Sequence, residues 1–190
     1  MNDINTFRQR KSIRLQGFDY GSSGAYFITI LSYKRRHRFS AIKNGEVLLS
    51  PIGKIIREEW LSTKLIRDYV TLDEFVIMPD HFHAVLFLHK GSDEPDHLRS
   101  TGTYLHFPDG YKNALGPQSH NLASIVRGFK SSVTQKAKLS GEATPIWHGR
   151  YYERIVRNEK ELDKFRLYIK NNPHKWGTED EHPFVPNRAA

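Results

Sequence analysis

Residues 72–89 read LDEFVIMPDHFHAVLFLH, and their pattern decides the fold. Two runs rich in β-branched and aromatic residues, 72–78 and 81–89, flank the dipeptide Pro79-Asp80. Such runs joined by so short a connection predict an antiparallel hairpin. Side chains alternate between the faces of a strand. Phe82, Ala84, Leu86 and Leu88 therefore share one face, read as core. His81, His83, Val85, Phe87 and His89 share the other.

Working outward, residues 25–33 (AYFITILSY) are aromatic and β-branched and predict another strand. Ser50 followed by Pro51 is an N-cap followed by proline at the first helical position. Ile52, Ile55, Ile56 and Trp60 continue with a helical period, predicting a helix over 51–68. Downstream, residues 121–138 place Leu122, Ile125, Val126, Phe129 and Val133 on one helical stripe. Residues 146–155 are strand-like. Asn158 starts a last helix, with Glu161 completing an Asn/Glu capping box, and Pro173 ends that helix near Asn172. The order β-α-β-β-α-β-α predicts an α/β two-layer sandwich: a mostly antiparallel sheet with helices packed on it, ferredoxin-like or RRM-like. One domain over 17–176 is expected, preceded by a basic flexible arm (1–16) and followed by a tail (177–190). Residues 91–120, rich in Gly, Pro, Ser, Asp and His without a sustained period, are read as an insertion.

The chain has 190 residues, no Cys and a net charge of +8. Without Cys there are no disulfides, thiolate zinc sites, iron–sulfur clusters or cysteine nucleophiles. The polar, basic start lacks the apolar core of a signal peptide, and no apolar run approaches a membrane span, so a cytoplasmic protein is expected. Residues 1–70 carry +7, residues 71–120 carry −4 and residues 121–190 carry +5. Arg8, Arg10, Lys11 and Arg14 form one basic cluster; Lys34, Arg35, Arg36 and Arg38 form another. Two basic flanks point to a nucleic acid partner.

His81 and His83, two apart on one strand face, can both reach one divalent ion; they can equally be packed histidines held by local hydrogen bonds. Two histidines leave a metal short of ligands. Tyr168 and Asn172, four apart on a helix, share a face. Tyr168 is either a boundary tyrosine or a phenol nucleophile, with the Asn172 amide oxygen completing a metal site. A phenol of pKa near 10 is a poor nucleophile until that value is lowered or its proton is taken. A cation on the phosphate would stabilise the developing charge.

Met78-Pro79-Asp80-His81-Phe82-His83-Ala84-Val85 resembles the His-hydrophobe-His strand of the IS200-like tyrosine transposases, nearest their REP-associated branch. The likeness extends to Gly24-Ala25-Tyr26-Phe27-Ile28-Thr29, Phe129-Lys130-Ser131-Ser132-Val133-Thr134, Trp147-His148-Gly149-Arg150-Tyr151-Tyr152-Glu153 and Tyr168-Ile169-Lys170-Asn171-Asn172-Pro173. It covers about residues 14–176.

The resemblance implies Tyr168 as nucleophile and His81, His83 and Asn172 as ligands of Mg²⁺ or Mn²⁺. The partner implied is single-stranded or hairpin DNA, cut through a 5′-phosphotyrosine intermediate. Arg8, Arg10, Lys11, Arg14, Arg35, Arg36, Lys130, Arg150, Tyr151 and Tyr152 are the candidate DNA contacts, with the strand lying across the sheet face. A homodimer and a nucleoid-associated location are compatible with this reading. Two alternatives are a catalytically inactive DNA-hairpin-binding protein and an RNA-binding module using surface aromatics.

Overall fold

The computed structural model describes residues 23–89 and 120–177. The basic arm with Arg8, Arg10, Lys11 and Arg14, nearly all of the expected insertion and the tail beyond Gly177 lie outside the described residues.

Four strands form one antiparallel sheet: β1 (Gly24–Ser32), β4 (Val70–Ile77), β5 (His81–Leu88) and β6 (Trp147–Val156), in the order β4-β5-β1-β6. A two-stranded hairpin, β2 (Ser40–Lys43) and β3 (Glu46–Leu49), stands apart from it. The helices are α1 (Pro51–Ile66), α2 (Leu122–Leu139) and α3 (Glu159–Asn171); a single 3₁₀ turn, Asn172–Lys175, follows α3. This is the α/β sandwich of antiparallel sheet and packed helices that the residue pattern predicts. The small hairpin is the addition. Its signal is Asn44-Gly45, both at positive φ (53° and 77°), as a two-residue hairpin turn requires.

Alternation along the strands sorts the core onto the two faces of the sheet. Tyr26, Ile28, Ile30, Phe82, Ala84 and Leu86 pack with Trp60 of α1 and Ile125, Phe129 and Val133 of α2. Trp60 stands edge-on to Phe82 and Phe129, ring centroids 5.0 and 5.2 Å away. On the other face, Phe27, Val85 and Phe87 pack with Leu162, Phe165, Tyr168 and Ile169 of α3. The histidine face is thus a second core rather than an open sheet: α3 packs on β4 and β5 and covers it. A strand lying across that whole face, as expected from sequence, is excluded by this helix.

The helix ends form as the sequence predicts, with one shift of partner. The Ser50 hydroxyl accepts from the Gly53 amide, and Asn158 Oδ1 accepts from the Glu161 amide. The Glu161 carboxylate, however, accepts from the Arg157 amide (2.8 Å) rather than closing on Asn158. At α2, Asn121 and Ser124 make a reciprocal capping box, legible as Asn-x-x-Ser.

Candidate functional site

The two-residue turn Pro79-Asp80 is held from outside the hairpin. The Arg38 and Phe39 amides donate to the Pro79 carbonyl, and the Ser32 amide donates to the Asp80 carbonyl. This fixes the start of β5, and with it His81. Upstream, Lys34 and Arg35 both adopt the left-handed region (φ 55° and 52°), which non-glycine residues seldom occupy. The turn they make brings Arg35 Nε to Asp80 Oδ2 at 2.8 Å.

Asp80 Oδ1 accepts a 2.6 Å hydrogen bond from His81 Nδ1. Burial would push the Asp80 carboxyl up. The hydrogen bond and charge of His81, together with the Arg35 guanidinium, outweigh it and hold the group at about 2. Asp80 is therefore ionised and can only accept, so His81 Nδ1 carries its proton and Nε2 points inward. There it meets Asn172 Oδ1 at 3.3 Å. His83 is arranged in parallel: Nδ1 shares a 2.8 Å hydrogen bond with Thr29 Oγ1, and Nε2 lies 3.3 Å from the Tyr168 hydroxyl. The two imidazole centroids are 4.5 Å apart, and both rings are fully buried.

The packed, hydrogen-bonded histidines of the alternative reading are thus present. Their local bonds use Nδ1 in both cases, which leaves both Nε2 atoms directed at α3 and the turn beyond it. Tyr168 and Asn172, one helical turn apart, face them from the same chain. Among the described residues no three of His, Cys, Asp and Glu cluster to hold a metal. The convergent donors here are two imidazoles and an amide.

Ion pairs set the roll of α3. Arg166 donates to Asp73, and Lys170 pairs with Glu74, both on β4. Phe165 stacks on Phe27 of β1 at 4.5 Å, and Phe27 in turn stacks on His83 at 5.2 Å. Asn172, fully buried, opens the 3₁₀ turn that Pro173 forces on the chain. The β2–β3 hairpin braces that turn. Ile42, Val47 and Trp176 all pack against the second core, the Trp176 ring lies 6.1 Å from His81, and Gly45 abuts His174. A Cβ at Gly45 would overlap the His174 ring. Gly45→Ala is expected to lower stability by about 1–2 kcal/mol from its left-handed backbone alone. The overlap adds to that loss. Adding His174→Ala should recover the second part and not the first, as read by urea unfolding.

The other candidates fall in different places. Lys130 is on α2, against the opposite face of the sheet. Its ammonium donates to the His148 and Gly149 carbonyls, where the β1–β6 register breaks, and burial lowers its pKa. Tyr151 packs against the α1–α2 core. Neither meets the histidines. Arg36 and Arg150 are exposed, and Tyr152, half-buried, pairs with Thr29 across β1 and β6. Asp80 and Thr29 were not singled out from sequence. Asp80 had the adjacent His81 as a clue, whereas Thr29 meets His83 only through the pairing of β1 with β5.

No family model matches the chain. An uncharacterized protein of Haemophilus influenzae is 36% identical over 174 residues, spanning 88% of this chain and 89% of that protein. Among solved structures, a REP-associated tyrosine transposase bound to a REP hairpin superposes with a TM-score of 0.56 and 21% identity, over 84% of this chain and 72% of that one. At that identity the likeness is one of fold.

Proposed function

This chain belongs to the family of the Haemophilus influenzae protein and has a fold related to that of a tyrosine transposase, and from that premise we propose that it is a metal-dependent, single-strand DNA endonuclease and strand transferase acting at hairpin-flanked sites. The observation that carries the reading is the meeting of Tyr168, His81, His83 and Asn172 from three elements, with each imidazole anchored through Nδ1.

The donor set fits Mg²⁺ or Mn²⁺. His81 Nδ1 donates to Asp80, and His81 Nε2 lies 3.3 Å from the Asn172 amide oxygen. Asn172 Nδ2 is buried without a hydrogen bond. A proton on His81 Nε2, or a metal ion held by both that atom and the amide oxygen, would satisfy their contact. Asp80 on His81 and Thr29 on His83 are the outer partners that orient metal-binding imidazoles. Held by His81, His83 and Asn172, a divalent cation would supply charge neutralisation at the scissile phosphate.

The chain's own residues do the rest. The Tyr168 oxygen attacks phosphorus, the P–O3′ bond breaks, and the phenol gives up a proton while the departing 3′ oxygen gains one. The products are a 5′-phosphotyrosine and a free 3′-hydroxyl, and rejoining reverses the step. His83 Nε2, 3.3 Å from the Tyr168 hydroxyl, would be one of the atoms holding the cation, which places the nucleophile beside it.

A labelled single-stranded hairpin DNA incubated with protein and Mn²⁺ should give a covalent adduct that EDTA prevents. Binding without any adduct, in either metal, would instead make the protein a catalytically inactive hairpin binder. Asp80→Asn should weaken Mn²⁺ binding about 10–100-fold in a calorimetric titration, the usual effect of losing an outer-shell partner. An unchanged affinity would remove Asp80 from the site.

A further inference from the structure

α3 packs chiefly on β4 and β5, toward one side of the histidine face, and β6 is the edge strand on the other side. Arg166 and Lys170 tie one flank of α3 to β4. Tyr168 lies on the opposite flank, and Lys164, one turn earlier and exposed, lies on that flank with it. Across the sheet this flank looks over β1 toward β6. The strand register places a strip of residues on that side. Tyr152 pairs with Thr29, which pairs with His83, and Arg154 pairs with Phe27. Tyr152 and Arg154, two apart on a regular stretch of β6, therefore point to the face that holds the histidines. At about 4.8 Å per strand, Tyr152 stands about 10 Å from His83, with only Thr29 between. Arg154 is exposed and Tyr152 is half-buried.

We propose that Tyr152 and Arg154 of β6, with Lys164 of α3, form the track that holds a single strand of nucleic acid beside Tyr168. This deepens the proposed function and rests on it for the identity of the reacting phosphate. The chemistry is that of a single-strand binder: cations for successive phosphates and an aromatic face for a base. Duplex fits poorly, because the strip is bounded by α3 on one side and its base-binding element is a single tyrosine ring. Arg154 is an addition to the residues the sequence suggested, and Tyr151, facing the other core, is removed from them.

The test is fluorescence anisotropy in EDTA, where no cleavage intervenes, with a labelled single-stranded oligodeoxynucleotide, an oligoribonucleotide of the same sequence and the DNA duplex. Tyr152→Ala should weaken single-strand binding between about five- and 150-fold, with Tyr152→Phe restoring most of it. Arg154→Glu and Lys164→Glu should each reduce the slope of log affinity against log salt by about 0.7 or more. Arg127→Glu, exposed on α2 at the far face, is the charge control and should leave more binding than Arg154→Glu. Loss with the DNA strand alone, or with both strands, supports the track and identifies its ligand. Wild-type affinity in the Tyr152 and Arg154 variants overturns it, as does an equal loss in Arg127→Glu or a preference for duplex. The two readings fail separately. Adduct formation with unaffected β6 variants sinks the track alone. Impaired β6 variants in a protein that never forms an adduct sink the chemistry alone.

Discussion

Tyr168→Phe is expected to abolish covalent adduct formation while leaving the fold and DNA binding almost unchanged. The substitution deletes one oxygen. The ring keeps its edge-on contact with Phe27, 6.0 Å between centroids, and its place in the apolar cluster under α3. The lost hydrogen bond to His83 Nε2 is a long one at 3.3 Å, so the stability change should stay near 1 kcal/mol. Without a nucleophile the reaction has no entry, and losing such a group typically costs roughly four or more orders of magnitude in rate. Denaturing electrophoresis of the labelled strand reads the result directly. An adduct surviving in this variant would show that another side chain attacks.

His81→Ala carries the second large effect. It removes one imidazole donor and also separates Asp80 from the site, since the Asp80–His81 bond is the link between Arg35 and the donor set. Mn²⁺ affinity and cleavage should both fall by more than the roughly 100-fold upper range for an outer-shell partner. Binding to the single strand in EDTA should be retained, because the charges on β6 and α3 remain. A variant that cleaves at the wild-type rate would sever His81 from the chemistry. One that melts early would be replaced by His81→Gln, which keeps a polar group in the buried space and should lose metal affinity in the same way.

Much of the site was legible as spacing. Residues two apart on a strand and four apart on a helix must share faces, so spacing alone pairs His81 with His83 and Tyr168 with Asn172. The turn at Pro79-Asp80, the caps at Ser50 and Asn158 and the stripe on α2 were equally local. The β2–β3 hairpin was missed, although Asn44-Gly45 announced it, because its four-residue strands are too short to show a period. Lys130 and Tyr151 were grouped with the site because they sit in basic or aromatic motifs, and a motif does not state which side of the sheet it will face.

Residue pattern alone yields the order of the four sheet strands and three helices, the absence of thiol chemistry and the two residue pairs, because each follows from backbone periodicity or residue chemistry within a few positions. It takes the folded chain to show that the pairs meet in one chain, that α3 packs on the histidine face, and that Thr29 and Asp80 hold the imidazoles by Nδ1. Those outcomes depend on strand pairing across more than fifty residues, between Thr29 and His83, and on where the Arg166 and Lys170 ion pairs roll α3 against β4. No local pattern encodes them; they are set by which buried surfaces and charges can be satisfied together.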